Sequence, residues 1–300
     1  MFDSIQIEAY VPQSLQPKLP DRETGNIEFR GICLIPVKSI KTHEVQYYQG
    51  EERNLRVKYD YRSGKVSVSN SIHKFAKGNN YSDLSYSELE SSLRRITMKI
   101  GISLKEWSVK KYEIGFNIET ERKGVDYLNI FYLFKTKYAD KMRKDAFWYG
   151  LKWYLTEYEV KIYDKTEEVK RHDRIKLDSN ILRFEVNIKK SRKTKIIQYA
   201  SDLLDTIKLD ELFRFFISQM KLIKTIENID PSLVSKQRDV EMFFAGLDSS
   251  YWKYQHQTNP LGIADKRRRY NRILAEISTK DTMDCFLRKL EEKYRLFITS

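Results

Sequence analysis

Three stretches of this chain, residues 107–118, 158–165 and 181–189, alternate apolar and polar side chains with a period of two. An α-helix cannot produce this pattern, because it brings residues three or four apart to one face, whereas a strand turns successive side chains to opposite faces. Each stretch has a clean apolar face, which is typical of an antiparallel sheet that is packed on one side and wet on the other. We predict that all three belong to one central antiparallel sheet.

The segments before and between these strands indicate additional elements. Residues 55–68 have the alternation and the central turn of a β-hairpin. Ser85 and Glu88 have the spacing of a capping box at the start of a helix. We expect mixed helical structure over about residues 125–144.

The remainder of the chain completes the predicted fold class. Residues 147–154 alternate like a strand that pairs with 158–165, and from residue 195 onward the apolar spacing becomes helical. The prediction is an α+β protein with two regions. An antiparallel-sheet domain would occupy residues 1–195, and an all-helical region would occupy residues 196–300.

The charge of the chain favours an anionic partner. It contains 55 Lys and Arg against 42 Asp and Glu, a net charge of +13. Nucleic acid is the polyanion that such proteins most commonly bind, through an attraction that does not depend on sequence. Residues 161–195 hold twelve basic against six acidic residues, and a second basic cluster comprises Lys266, Arg267, Arg268 and Arg269. The alternative is a basic surface that is merely solvated.

Other classes are disfavoured by what the sequence lacks. No apolar run approaches the roughly 20 residues that span a bilayer, and the first residues do not resemble a secretion signal. Cys33 and Cys285 are too few for a disulfide framework or a zinc site. The four histidines have no metal-binding spacing, and a nucleotide-binding phosphate loop is missing. We expect a cytoplasmic protein that does not associate with membranes.

The polar faces of the three alternating strands carry side chains typical of a reactive site. In chain order they are Glu113, Asn117, Lys161, Tyr163, Arg183 and Glu185. If the strands are neighbours, the two carboxylates converge within a basic and aromatic surface. Such a surface suits Mg²⁺ or Mn²⁺ held by oxygen ligands against a phosphate. The simpler alternative is a set of ordinary amphipathic strands with one wet face.

Three motifs, taken in order, resemble those of replication initiators of filamentous phages and of related rolling-circle plasmid Rep proteins. Residues 71–80, S-I-H-K-F-A-K-G-N-N, resemble the family's S-x-x-K-F/L-x-x-G-x-N loop. Residues 107–117, W-S-V-K-K-Y-E-I-G-F-N, are similar to its V-x-R-I/V-D-L/V strand. Residues 161–168, K-I-Y-D-K-T-E-E, and 182–186, L-R-F-E-V, resemble K/R-x-Y-x-K-x-x-E followed by L-R-F/V/Y-E. The resemblance covers roughly residues 55–190.

The resemblance implies an HUH-related endonuclease core, although the paired histidines of that fold are absent here. Such proteins nick one DNA strand at a replication origin. A tyrosine attacks a phosphodiester, keeps the 5′-phosphate as phosphotyrosine and releases a 3′-hydroxyl for the polymerase, with Mg²⁺ or Mn²⁺ as the cofactor. The implied partners are origin DNA, as duplex and as single strand, and the replicative helicase and polymerase of the host. Self-association is left open.

Functional residues follow from the motif positions. Glu113 and Glu185 would be metal ligands, with Glu113 in place of the more usual Asp. Asn117 stands where some relatives have a second acid, and Asp164 is a further candidate ligand. Four basic residues would contact DNA phosphates, namely Lys74, Lys161, Lys165 and Arg183.

The nucleophile of the family often lies in a Y-x-G segment shortly before the third motif. Here residues 147–158 read F-W-Y-G-L-K-W-Y-L-T-E-Y, so Tyr149 lacks the intervening residue before glycine. We rank Tyr149 first, followed by Tyr154, Tyr158 and Tyr163. Tyr163 lies within the strand motif itself and is interpreted first as a packed or phosphate-contacting phenol.

Two interpretations of function stay open on the sequence. The first is a metal-dependent tyrosine endonuclease and strand transferase that initiates rolling-circle replication. The second is a non-catalytic, sequence-specific DNA-binding protein on the same fold. A basic structural protein that binds RNA would require all three motif matches to be accidental. In the C-terminal region, Arg267, Arg268 and Arg269 are predicted to hold duplex DNA, and the alternative is a solvated helix face.

Overall fold

The chain is an α+β protein, as predicted. A computed structural model describes residues 1–19, 25–227, 231–234, 236–277 and 281–300. Within these residues it has one large antiparallel sheet, and most of the helical residues lie in the C-terminal third of the chain.

The described residues contain fourteen strands and ten α-helices. In chain order, strands β1 to β14 are Phe2–Tyr10, Ile27–Phe29, Ile32–Lys38, Val45–Glu52, Leu55–Asp60, Lys65–Ser71, Ser108–Thr120, Phe131–Phe134, Lys137–Tyr138, Asp140–Lys144, Phe147–Tyr154, Tyr158–Asp164, Asn180–Ile188 and Ile223–Thr225. Helices α1 to α10 are Ile72–Lys77, Tyr86–Ile100, Gly124–Leu128, Lys165–His172, Ser191–Thr194, Thr206–Met220, Gln237–Gly246, Ser249–Thr258, Ile263–Ile277 and Asp281–Thr299. Among these helices, none has both the length and the apolar composition that crossing a membrane requires.

Eleven of the strands form one sheet, with the amino-terminal strand at its centre. The order is β10-β11-β12-β13-β7-β1-β6-β5-β4-β3-β2, and β14-β8-β9 form a smaller sheet. The three strands predicted from alternation are β7, β12 and β13, and they are direct neighbours in the order β12-β13-β7. The predicted hairpin is β5–β6, and the capping box of α2 is present, since Ser85 and Glu88 each accept a hydrogen bond from the other's backbone N–H.

C-terminal helices cover the apolar face of the sheet. Phe116 of β7 contacts Phe213 and Phe216 of α6, with ring centroids 5.7 and 5.3 Å apart. Phe184 of β13 contacts Phe286 of α10 at 5.4 Å. Each such side chain contributes about 1.5–3 kcal/mol when fully buried. Because α6 and α10 share one hydrophobic core with the sheet, this face is the interior and the opposite face is left for polar side chains.

The predicted helical stretch over residues 125–144 is wrong after its first turn. Helix α3 ends at Leu128, and β8, β9 and β10 follow it. This segment forms a strand because β8 pairs with β14, which lies far along the chain and is not visible in the local pattern. For the same reason the region 196–300, predicted to be all-helical, contains a strand.

Candidate functional site

Four adjacent strands, β11, β12, β13 and β7, present the predicted functional side chains on their polar face. Residues paired across antiparallel strands lie about 5 Å apart, so the pairing arranges them in rows. In strand order, one row is Lys152, Lys161, Glu185 and Gly115. The rows on either side of it are Gly150, Tyr163, Arg183, Asn117 and Tyr154, Glu159, Asn187, Glu113. The prediction that Glu113 and Glu185 share a sheet face is confirmed.

Three carboxylates converge at the centre of this face. Glu113 and Glu185 come from β7 and β13, and Asp3 comes from β1 on the other side of β7. Ligand oxygens from the three residues lie within 4.8 Å of one another. Asp3 and Glu185 are only 6% and 2% exposed. Like charges so close and so far from water require cations beside them.

Arg183 and Lys161 supply those cations. Arg183 donates to Glu185 Oε2 through Nε and to Asp3 Oδ2 through Nη2, each at 3.1 Å. Lys161 Nζ donates to Glu185 Oε1 at 2.5 Å and to Glu113 Oε1 at 3.4 Å. Burial alone would raise the pKa of Glu185, but Lys161 and Arg183 hold it below its ordinary value. Glu185 is therefore ionised at neutral pH.

The other two carboxylates titrate very differently from each other. Burial raises the pKa of Asp3, but Arg183 and hydrogen bonds from Ser71 and Asn80 outweigh it and lower the pKa to about 2. Burial, followed by repulsion from Glu185, raises the pKa of Glu113 to about 7. Glu113 thus changes charge near neutrality, whereas Asp3 stays ionised.

Two buried polar atoms near the carboxylates have no hydrogen-bond partner among the described residues. They are Asn80 Oδ1 and His73 Nε2. Asn80 Oδ1 belongs to the amide whose Nδ2 donates to Asp3 at 2.9 Å. Burial and the charge of Arg183 lower the pKa of His73 to about 3, so its ring is neutral. Leaving such atoms unpaired costs about 1–3 kcal/mol each, which favours a bound ligand here.

Two glycines have no side chain where Arg183 and Tyr163 need room. A Cβ on Gly115 would lie 3.0 Å from Arg183 Nη2 and 3.1 Å from a backbone oxygen. A Cβ on Gly150 would lie 2.5 Å from the Cβ of Tyr163. Any side chain at either position would displace a member of the polar rows.

Among the candidate tyrosines, Tyr163 is the one whose hydroxyl bonds to a carboxylate of the cluster. Its hydroxyl donates to Glu185 Oε2 at 3.1 Å, the oxygen that also accepts from Arg183 Nε. Burial and the charge of Glu185 raise the pKa of Tyr163 well above its ordinary value. The phenol is therefore held protonated and acts as a donor that orients Glu185.

Tyr149 lies beside Tyr163, at the edge of the cluster. Its ring centroid is 6.4 Å from that of Tyr163 and 6.1 Å from that of His172. Tyr149 is the extra residue of a β-bulge, because β10 pairs with the residues on either side of it and skips Tyr149 itself. Bulges re-aim side chains in this way, often beside active sites. Burial and the charge of Glu168 raise the pKa of Tyr149, while the more weakly acting Lys161 and Lys152 lower it.

The two other candidate tyrosines lie away from the carboxylates. Tyr154 is largely exposed between Lys152 and Lys189, whose ammonium groups lie 4.4 and 5.3 Å from its ring. Tyr158 belongs to the opposite face, and its hydroxyl bonds to Gln219 of α6 at 2.6 Å. The polar cluster therefore includes Tyr163 and Tyr149 but neither of these two.

Asn117 and Asp164, the candidate third ligands, do not join the carboxylates. Asn117 Oδ1 accepts from Arg183 Nη1 at 3.0 Å, so it positions the guanidinium. Asp164 is the N-cap of α4, and its two oxygens accept from the backbone N–H groups of Glu167 and Val125 at 2.9 and 3.0 Å. The third carboxylate is Asp3 instead.

The four side chains predicted to contact phosphates are buried to different extents. Arg183 and Lys165 are buried, and Lys165 Nζ donates to Glu168 at 2.7 Å. Lys74 is half-buried and lies 3.6 Å from Asp173 at the end of α4. Lys161 is the cation that both touches the carboxylates and reaches solvent, since its side chain is 15% exposed.

The arginines of the C-terminal basic cluster also differ from one another. Arg268 is 78% exposed and pairs with Asp265 one turn before it on α9. Arg269 pairs with Asp239 of α7 and is partly buried. The Arg267 guanidinium lies 5.7 Å from an aromatic ring of α8. The cluster is therefore one exposed cation beside two that pack within the protein.

A hard divalent cation fits this donor set. Carboxylate oxygens are ligands that Mg²⁺ and Mn²⁺ prefer, and Asp3, Glu113 and Glu185 supply them. A cation bound by these oxygens would compete with the Lys161 ammonium, which already contacts two of the carboxylates.

Asp3 is the site residue that the sequence did not reveal. Ile5 and Ile7 lie on the apolar face, and strict alternation would put Asp3 on that face too. An irregularity between Phe2 and Ile5 in the pairing of β1 with β7 turns Asp3 to the polar face instead. A carboxylate beside Phe2 was the available signal, and it does not by itself locate a bulge.

Arg183→Met should destabilise the protein strongly. The substitution keeps the aliphatic length but leaves Asp3 and Glu185 as buried anions that have lost a partner, which costs about 3–5 kcal/mol. Urea unfolding at neutral pH should show this fall in the free energy of unfolding. The depressed pKa of Asp3 contributes stability that is present above its ordinary pKa and lost as the pH falls through about 2. The deficit should therefore shrink in acid.

The matched control is Arg94→Ala on α2, where an exposed arginine pairs with Glu90. Exposed pairs contribute about 0–1 kcal/mol, so this variant should unfold almost like the wild type. Equal stability of the two variants would contradict the central role of Arg183.

Glu113→Gln should stabilise the metal-free protein in alkali. Because folding raises the pKa of Glu113 from 4.5 to about 7, its ionisation opposes folding. This penalty is absent below the ordinary pKa, grows as the pH rises, and is complete above the folded-state pKa, at up to about 3 kcal/mol. Urea unfolding with EDTA should show a gain much larger at about pH 8 than at about pH 5. A gain of equal size at both would contradict the assignment.

Comparison of the chain with known proteins gives no family. No protein-family model matches it, and no curated protein matches it. The residues of the site and their geometry are therefore the evidence for function.

Proposed function

We propose that this protein is a metal-dependent, site-specific DNA nickase that initiates rolling-circle replication through a phosphotyrosine intermediate. One observation carries the proposal. Three carboxylates, ion-paired to Lys161 and Arg183, share a sheet face with two tyrosines in a chain of net charge +13. The motif resemblance predicted Glu113 and Glu185 together with those cations. A cytoplasmic location goes with the proposal, because the host helicase and polymerase work there.

In this mechanism the side chains of the cluster position the phosphodiester and the cation. Lys161 and Glu113 are the members of the cluster that reach solvent, so a phosphodiester enters against them. Arg183 and Tyr163 hold Glu185 by donating to the same oxygen. A divalent cation bound by the carboxylates would neutralise charge on the non-bridging phosphate oxygens.

Bond changes are confined to one phosphorus atom. The phenol oxygen of Tyr149 loses its proton and forms a bond to phosphorus, while the bond from phosphorus to the 3′-oxygen breaks. The released 3′-oxygen takes up a proton, and the 5′-phosphate stays on the tyrosine. Tyr149 suits this role better than Tyr163 because the Tyr163 hydroxyl is already engaged in a hydrogen bond to Glu185.

The test is covalent capture of DNA. The protein would be incubated with a random-sequence library of single-stranded oligonucleotides and Mn²⁺, and complexes that resist detergent would be isolated. Peptide mass spectrometry should find a nucleotide on Tyr149, and the released fragments should end in a 3′-hydroxyl. Incubation with EDTA in place of Mn²⁺ should yield no covalent complex.

The second candidate is a non-catalytic, sequence-specific DNA-binding protein with the same fold. It is favoured by the buried state of the cluster, in which Arg183 and Lys161 already neutralise the carboxylates. Such a protein would bind DNA without any detergent-resistant complex, with or without metal. The same capture experiment therefore separates the two.

A further inference from the structure

Helices α7, α8 and α9 form a compact unit with a core of its own. Phe243, Trp252, Tyr270, Ile273 and Leu274 make a hydrophobic cluster separate from the main core. The first helix of the unit packs against both of the others. A short connection follows α7, and a four-residue turn over 259–262 joins α8 to α9.

Gly246, the last residue of α7, allows this close packing. A Cβ at this position would overlap the ring of Tyr270 on α9. The carbonyl of Gly246 accepts hydrogen bonds from Trp252 Nε1 at 2.8 Å and from the Tyr138 hydroxyl at 2.9 Å. Both α8 and the β8–β9 hairpin are thus fixed to the same point.

The turn between α8 and α9 is built for a tight change of direction. Asn259 Oδ1 accepts from the backbone N–H of Gly262 at 3.0 Å. A Cβ on Gly262 would lie 2.6 Å from Asn259 Nδ2, so a side chain there would have to displace the Asn259 amide. Two helices joined by a short turn with glycine, and packed on a preceding helix, are the pattern of helix-turn-helix units.

The outer face of α9 is exposed and carries Arg268 and Arg272 together with the acids Asp265 and Glu276. Arg268 and Arg272 lie one helical turn apart, on the side opposite Tyr270 and Ile273, and both are exposed. Asp265, the partner of Arg268, is 74% exposed, so this ion pair contributes about 0–1 kcal/mol in water. Phosphate oxygens are stronger partners for a guanidinium and can replace it.

We propose that α7, α8 and α9 form a duplex-DNA-binding unit of the helix-turn-helix type, with α9 in the major groove. Arg268 and Arg272 contact the DNA, and the partly buried Arg267 and Arg269 hold the unit together. The proposal deepens the proposed function, since it names the element that holds origin duplex, but its test does not require nicking.

The test compares Arg268→Ala/Arg272→Ala with the wild type. Fluorescence anisotropy would measure binding of a labelled mixed-sequence duplex and of one of its single strands over a series of salt concentrations. Duplex affinity should fall by about tenfold or more, and the salt dependence should flatten by about 0.9 for each lost phosphate contact. Single-strand binding should change much less. Asp265→Asn, which removes an acid beside Arg268, should tighten duplex binding instead.

Arg94→Ala, an exposed arginine in an ion pair on α2, is the matched control and should change neither affinity nor salt dependence. Unchanged duplex binding in the double variant would overturn the proposal. So would equal losses on duplex and single strand, which would indicate only a general polyanion surface. Covalent capture of single-stranded DNA is measured in parallel. If capture fails in the wild type while the duplex result holds, the nickase proposal fails and the duplex-binding unit stands.

Discussion

Tyr149→Phe is expected to abolish the covalent protein–DNA adduct while leaving single-stranded DNA binding intact. The substitution removes one oxygen atom and retains the ring that packs against Tyr163 and His172. Without that oxygen no bond to phosphorus can form, so the loss should be at least about 10³-fold. Detergent-resistant complexes formed with Mn²⁺ are the measurement, and anisotropy with the same oligonucleotide reports binding.

Two further phenylalanine variants make this result specific. Tyr163→Phe removes the hydrogen bond to Glu185, and loss of such a supporting contact should slow capture by about 10–100-fold without abolishing it. Tyr154→Phe should behave like the wild type, because Tyr154 lies exposed between two lysines. Abolition by Tyr163→Phe together with normal capture by Tyr149→Phe would transfer the nucleophile to Tyr163.

The part of the site that was predictable from sequence lies in strands with regular alternation. In β12 and β13 the period of two is unbroken, so Lys161 and Tyr163, and likewise Arg183 and Glu185, could be assigned to the polar face of their own strand before any pairing was known. The motif resemblance placed the same residues together. The neighbouring position of β7, which brings Glu113 to them, required the structure.

The parts that were not predictable depend on irregular or distant pairing. Tyr149 was a candidate from the sequence, but its orientation and the site role of Asp3 both depend on breaks in strand register, where a single extra residue moves a side chain to the other face of the sheet. Asn80 reaches Asp3 from a loop, and loop geometry follows from tertiary contacts rather than from periodicity. The strand β8 was predicted as helix for a related reason, because its partner β14 is remote in the chain.

Glu185→Gln is expected to abolish metal-dependent capture, because Glu185 links every charged part of the cluster. Its two oxygens accept from Lys161, Arg183 and Tyr163, and Gln preserves the shape while removing the charge. With only two carboxylates left, Mn²⁺ binding measured by electron paramagnetic resonance should be lost. Capture should fall by at least about 10²–10³-fold, since metal stabilisation of the transition state is worth several kcal/mol.

Glu159→Gln provides a closely matched control for this variant. Glu159 lies on the neighbouring strand β12 and on the same face of the sheet as Glu185. It is also buried, and it also accepts from two cations, Lys152 and Lys189, at 2.9 and 2.7 Å. It therefore loses the same kind of ion pairing, yet it lies outside the three carboxylates. Equal loss of Mn²⁺ binding in both variants would mean that general charge loss is responsible. Normal capture by Glu185→Gln would remove the carboxylate cluster from the mechanism, whereas selective loss in that variant assigns the metal to Asp3, Glu113 and Glu185.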